Sequence, residues 1–256
     1  MHLVSAVIIT YNEEKNIARC IEALQPISDE IIIIDSFSSD NTIHIAEKYN
    51  VKIIQQKWLG YGPQKRFAVS AANFNNIIAV DADETLDQEA INQIRSLKQN
   101  GFIGVYEILL YNFYFGKCIK YGEPYPKFKQ RIFCREFVNW NESPLHESLV
   151  IPLGYPVIKL KGRINHYSYP SIDQYISKAN AYSKIAANHL YNNGKRNYLL
   201  KIILSPIFTF FKGYIIKLGF LDGLHGFVIA WLNAHTNFLK YAKLWALNRE
   251  SKIRSL

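Results

Sequence analysis

The chain has 256 residues, 49% of them hydrophobic and 20% charged, which is long enough for a substantial core and too apolar for a disordered or collagen-like chain. Three cysteines, Cys20, Cys118 and Cys134, with no CxxC spacing, exclude a disulfide framework and a structural zinc site, and read as reduced thiols of a cytosolic protein. The net charge of +9 is uneven: residues 1–150 carry 15 Lys/Arg against 18 Asp/Glu, and residues 151–256 carry 15 against 3, so a near-neutral part that does chemistry is joined to a basic part that meets an anionic surface.

The first hundred residues alternate strand and helix signals. Leu3–Thr10 is a continuous apolar run, the pattern of a buried parallel strand. Ile17, Cys20, Ile21 and Leu24 recur at helical spacing within Glu13–Leu24. Glu30–Asp35 predicts a second strand, and Asp40–Tyr49 a helix with Asp40 as its N-cap. Val51–Gln55 and Ile77–Val80 predict further strands, and Gln64–Asn73 and Leu86–Lys98 further helices. This βαβαβ order implies an α/β fold, a mostly parallel sheet flanked by helices. Residues 101–150 mix aromatics, Gly and Pro with short strand-like runs at Val105–Leu110 and Arg131–Cys134, and read as an irregular acceptor-side region. From Ser171 the pattern is helical, with a second helical block over Tyr198–Arg249 broken by Pro206 and by a turn at Gly219–Gly226. The expected division is therefore 1–170, with parts at 1–100 and 101–170, followed by a basic amphipathic helical region at 171–256.

Polar residues cluster just after the predicted strands, where open parallel sheets bind ligands. These are Thr10-Tyr11-Asn12-Glu13, Asp35 to Asp40, and Asp81-Ala82-Asp83-Glu84. Two carboxylates at i and i+2 on a strand-end turn suit a hard divalent cation and a polyphosphate that it bridges. The competing reading is that Asp83 or Glu84 caps the helix starting near Leu86. Asp35 suits hydrogen bonds to a base or ribose, or else caps its own turn. Tyr11 suits stacking on a base, and Lys65 and Arg66 open a helix where they can face a diphosphate. No GxGxxG, GxxxxGK[ST] or GxSxG occurs, which removes the main support for Rossmann dehydrogenases, P-loop NTPases and serine hydrolases.

The stretches AVIITYNEEKNIARCIEAL, DEIIIIDSFSSDNT, GYGPQKRFAV and IIAVDADETL together resemble the nucleotide-binding half of a family 2 glycosyltransferase of GT-A fold. Further on, KQRIFCRE, WNESPLHESL and INHYSYPSIDQYISKANAYS resemble the lipopolysaccharide-core β-glucosyltransferase-like subgroup. The resemblance implies that Thr10, Tyr11, Glu13 and Asp35 hold the nucleoside and that Lys65 lies near the diphosphate. It also implies that Asp83 binds the metal, with Asp81 closer to ribose and metal, and that Glu147 is the catalytic base. Glu142 and Glu84 are substitutes for that base, and the alternative for Glu147 is a surface acid paired with Arg131 or Arg135. His146 is expected to orient Glu147 or bind substrate, and His166 to reach the metal or diphosphate or else to be a packed structural residue. The chain departs from many relatives in having Asp35-Ser36 instead of two acids, and Ile9 instead of Pro before the Thr-Tyr pair.

What the resemblance implies is an inverting, Mg²⁺- or Mn²⁺-dependent transfer of a hexose, glucose first, from a nucleotide diphosphate to a lipopolysaccharide-core or other lipid-linked saccharide. The rivals are a polyprenyl-phosphate glycosyltransferase and a non-catalytic membrane-associated scaffold. The C-terminal aliphatic and aromatic residues, interspersed with Lys201, Lys212 and Lys217, describe either a helix lying in a membrane interface or one packed on the catalytic domain. No signal peptide is evident, and the apolar stretch between Lys201 and Lys212 is about half the length of a membrane span. The expected location is cytoplasmic, peripheral on the inner face of the membrane, with an anionic lipid surface and no nucleic acid as partner.

Overall fold

The computed structural model describes residues 2–143, 146–195 and 198–254. The chain divides into two compact units, one formed by the residues up to Tyr111 with Lys127–Tyr167, the other by Asn112–Pro126 with the residues from Ser168 onward.

In the first unit, β1 (Val4–Thr10), β2 (Glu30–Asp35), β3 (Lys52–Gln55) and β4 (Asn76–Asp81) pair in parallel in the order β3-β2-β1-β4. Residues of β1 and β2 alternate between two cores, as the two-residue period of a strand demands. Val4, Ala6, Ile8, Ile31 and Ile33 enter one core; Val7, Ile9, Ile32 and Ile34 enter the other. Helix α1 (Ile17–Leu24) adds Ile17, Cys20, Ile21 and Leu24 to the first core, α2 (Thr42–Ala46) adds Ala46, and α4 (Gln88–Asn100) adds Ala90, Ile91 and Ile94. Helix α3 (Tyr61–Ser70) adds Ala68 and Val69 to the second. Both sheet faces are thus covered, which explains why the parallel strands are apolar throughout.

Residues 101–150 are not irregular. Strands β5 (Glu84–Leu86), β6 (Val105–Tyr114), β7 (Lys117–Ile119), β8 (Lys127–Cys134) and β11 (Val157–Tyr169) extend the sheet to nine strands in the order β3-β2-β1-β4-β8-β6-β11-β5, with β7 on β6. The added pairings β4–β8, β6–β8, β6–β7 and β11–β5 are antiparallel, so the sheet is parallel only in its N-terminal half. A separate hairpin of β9 (Asn139–Trp140) and β10 (Leu149–Val150) carries the loop 141–148. The helix expected from Leu86 starts two residues later because Asp87, and neither Asp83 nor Glu84, caps it: its carboxylate accepts from Ala90 N at 2.9 Å.

The second unit holds the β6–β7 hairpin tip, α5 (Ile172–Asn192), α6 (Leu199–Phe211), a π-helical turn (Lys212–Ile216), a 3₁₀ turn (Gly219–Asp222) and α7 (Leu224–Arg254). Asp222 is buried and accepts from Lys120 N and Tyr121 N at 3.0 and 2.8 Å, which fastens the 3₁₀ turn to the hairpin. Tyr175 on α5 donates to Asn233 on α7 at 2.8 Å. Pro206 does not break the helix expected there; α6 runs through it. The expectation of no segment long enough to span a membrane is corrected as well. Leu199–Ile216 is continuous over 18 residues, with a mean hydropathy of 1.6 and only 6% of it buried, long and apolar enough to cross a bilayer. Two lysines inside a helix do not shorten it.

Candidate active site

Pairing of β1 with both β2 and β4 puts three strand ends side by side: Thr10 is level with Asp35, and Ile9 with Asp81. Thr10 Oγ1 is buried with no hydrogen-bond partner among the described residues. Asp35 is fully buried and accepts from Ser38 N at 3.0 Å and from the Ser38 hydroxyl, so its carboxylate shapes the loop after β2. Asn12, at φ 54°, bonds that same loop through Ser38 Oγ and Ser39 N at 2.9 and 2.8 Å. Glu13 accepts from Asn16 Nδ2 at 2.5 Å, and its amide donates to Thr42 Oγ1 at 2.8 Å. Tyr11 stands 57% exposed on this rim.

Asp81 closes β4 and meets two cations. Lys65 Nζ lies 3.1 Å from its Oδ1 and Arg131 Nη2 lies 3.6 Å from its Oδ2. Burial by itself would raise the Asp81 pKa; the Lys65 and Arg131 charges outweigh it and hold the carboxyl at about 2. Lys65 also reaches Glu147, with Nζ 3.2 Å from Oε1, and lies 4.9 Å from the Trp140 ring centroid. One ammonium therefore bridges the end of β4 to the loop between β9 and β10. Gly62 makes this approach possible: its amide donates to Ser143 O at 3.0 Å, and a Cβ there would lie 2.4 Å from Asn141 O. The companion Arg66 does not share the role expected of it, since its Nη1 donates to Trp140 O at 2.8 Å.

Glu84 is 1% exposed and sits in a two-pronged pair with Arg131, at 2.8 Å to Nε and 2.6 Å to Nη2. Its Oε2 also accepts from Asp81 N at 3.2 Å. Burial opposes the Arg131 charge, but Glu84 outweighs it and raises the guanidinium pKa further. A carboxylate so enclosed has no path to an acceptor hydroxyl, which removes Glu84 as a substitute base. It also explains why Glu147 pairs with Lys65 and not with Arg131 or Arg135. Arg135 instead bonds Val69 O, Ala72 O and Asn75. Glu142 is exposed. His146 is exposed beside Glu147, its amide held by Ser143 Oγ at 3.1 Å; Pro144 and Leu145 lie outside the described residues.

His166 is on β11, level with Glu84, and its Nε2 lies 3.1 Å from Asp83 Oδ2. Burial lowers its pKa, and the hydrogen bond and charge of Asp83 reverse this into a rise. No cluster of three or more His, Cys, Asp or Glu groups forms a metal cage among the described residues. A Mg²⁺ or Mn²⁺ ion bound here would meet Asp83 Oδ2 and His166 Nε2, both partly open to solvent, and would have to replace their hydrogen bond. Such ions keep several waters and take further ligands from substrate phosphates. The donor set fits a shared ion and not a self-contained one.

Two contributors carried no assigned role in the sequence reading. Gln64 is fully buried and its Nε2 donates to Ser36 Oγ at 3.2 Å, tying α3 to the loop after Asp35. Trp140 lies under Lys65, a placement that only the β9–β10 hairpin creates.

The family model described as glycosyl transferase family 2 matches residues 5–141. An uncharacterised glycosyltransferase of Rickettsia typhi is 35% identical, with 98% of this chain and 90% of that one covered. The lipopolysaccharide core biosynthesis glycosyltransferase LpsC of Rhizobium meliloti is 28% identical over 94% of this chain and 91% of that one. The crystal structure of S. aureus TarS in complex with UDP superposes with a TM-score of 0.45 at 14% identity, covering 97% and 92% of the two chains.

Proposed function

Since the chain belongs to glycosyl transferase family 2 and is a glycosyltransferase of GT-A fold, we propose that it transfers a hexose, glucose first among the candidates, from a nucleotide diphosphate to a lipopolysaccharide-core or other lipid-linked saccharide, with inversion. The observation that carries this is the Lys65 bridge between Asp81 and Glu147. It brings a carboxylate fitted to the donor side and one fitted to the acceptor side to a single cation.

The roles are those that the family resemblance implies, and the geometry supports them. Thr10, Tyr11, Glu13 and Asp35 border the nucleoside, the unpartnered Thr10 hydroxyl supplying a hydrogen bond. Lys65 faces the diphosphate. Asp83, with His166 and the neighbouring Asp81, holds the divalent ion, which when bound offsets charge developing on the leaving diphosphate. Glu147 takes the proton of the acceptor hydroxyl as that oxygen bonds to the anomeric carbon. The bond to the diphosphate breaks on the opposite face, and the electron pair leaves with the diphosphate. A lipid-linked acceptor places the enzyme on the cytoplasmic face of a membrane, where the basic C-terminal half meets an anionic surface. The similarity to LpsC supports the acceptor class.

The test is a panel of nucleotide sugars screened by thermal unfolding with Mn²⁺ or with chelator. One donor is expected to raise Tm only with metal, by the stabilisation that ligand binding to the native state confers. Asp83→Ala is expected to abolish both this rise and transfer. Full activity of Asp83→Ala in chelator would remove the metal role, and no response to any nucleotide sugar would favour a non-catalytic scaffold.

A further inference from the structure

Among the described residues, α6 turns its apolar side outward. Leu199, Leu200, Ile203, Leu204, Ile207, Phe208 and Phe211 recur with helical periodicity on one stripe, and each is 51–74% exposed. The opposite side of α6 packs on α7, where Thr209 Oγ1 accepts from Asn237 Nδ2 at 2.8 Å and Phe210 meets Phe227 and Trp231. Water-soluble helices have the reverse arrangement, with polar residues outside. The stripe continues through Ile215 and Ile216 into the exposed Leu218, Leu221 and Leu224 of the following turns, a far broader apolar patch than scattered surface leucines make.

We infer that this stripe inserts in the plane of a lipid bilayer, and that apolar contact, not charge, holds it there. This rests on the membrane-partner reading above and sharpens it. The three lysines that flank the stripe, Lys201, Lys212 and Lys217, each have a partner within the protein, so they contribute little to attachment beside the other basic residues of this half. Glu123 pairs with Lys212 at 3.4 Å and with Lys217 at 2.7 Å. Lys201 lies 5.8 Å from the Tyr241 ring centroid. A spanning orientation would carry α7 into the hydrocarbon along with α6, together with Asn233, Asn237, Lys240 and Lys243, whose desolvation opposes it. Lying flat leaves those groups in water and buries only the stripe, with the exposed Trp231 at the headgroup level.

The full chain is to be floated with vesicles of pure phosphatidylcholine and of phosphatidylcholine with phosphatidylglycerol, at ~0.1 M and ~1 M salt, where the Debye length falls from about 10 to 3 Å. Binding to both vesicle types is expected, changing less than about threefold with salt, as apolar insertion predicts. The Leu204→Glu/Phe208→Glu variant should lose more than about tenfold, because charge replaces buried apolar area, and Lys201→Ala less than about threefold. In a second measurement, F208W should be quenched by brominated acyl chains more strongly than the wild type, whose four native tryptophans set the baseline, a readout that a folding defect cannot mimic. Binding only to anionic vesicles at low salt would overturn insertion while leaving a charge-held membrane partner. No vesicle binding would overturn both. A salt-resistant dimer dissolved by the double variant, with no lipid quenching, would assign the face to a second copy of the chain and overturn the inference.

Discussion

Lys65 Nζ lies 3.1 Å from one carboxylate and 3.2 Å from another, and a buried ammonium shared in this way fixes both partners. Replacing Glu147 by Gln keeps the shape and removes the proposed proton acceptor. Turnover is expected to fall by about 10²–10⁴-fold with donor-induced stabilisation unchanged. Unchanged turnover would take Glu147 out of the mechanism and favour an acceptor that is already anionic, such as a polyprenyl phosphate. Asp81 makes a separate prediction. Its folded-state pKa of about 2 lies below the ordinary 3.8, so its contribution is present above pH 4 and lost as pH falls from 4 toward 2. The shift corresponds to about 2 kcal/mol. Urea unfolding across that window should therefore show a steeper loss for the wild type than for Asp81→Asn.

At the scale of elements, the Glu84–Arg131 pair joins β5 to β8 inside the sheet, with both side chains nearly inaccessible. Breaking a buried pair from one side strands the other charge. Glu84→Gln is expected to lower stability by about 3–5 kcal/mol, whereas Glu84→Leu with Arg131→Met should cost far less. The urea midpoint of each variant at constant m-value checks this. The same pair explains an error of sequence reading: Glu84 follows a DxD motif and looks available for chemistry, but pairing of β5 with β11 carries it into the interior. Cys20 is similarly enclosed; burial, then the charge of Glu84, raises its thiol pKa.

Across the whole molecule, the residues proposed to bind the donor belong to one compact unit and the outward apolar stripe of α6 to the other. Phe208→Glu is accordingly expected to leave the Tm rise caused by nucleotide sugar and Mn²⁺ intact while weakening vesicle binding. Loss of the donor response would show that α6 supports the nucleotide site.

The amino-acid order alone determined the parallel strands, the helices α1, α3 and α4 that cover them, and the strand-end clusters at Thr10, Asp35 and Asp81. Each is written locally over adjacent residues, as a continuous apolar run, a helical stretch or a polar cluster at the end of a run. Tertiary structure decided the rest. The antiparallel half of the sheet was decided there, and the Lys65 bridge, the Glu84–Arg131 pair and the Asp83–His166 contact join residues from 16 to 83 positions apart. Which face of α6 stays outside was also decided there, because a helix has an apolar stripe whether it faces a core or a lipid, and only its packing on α7 tells the two apart.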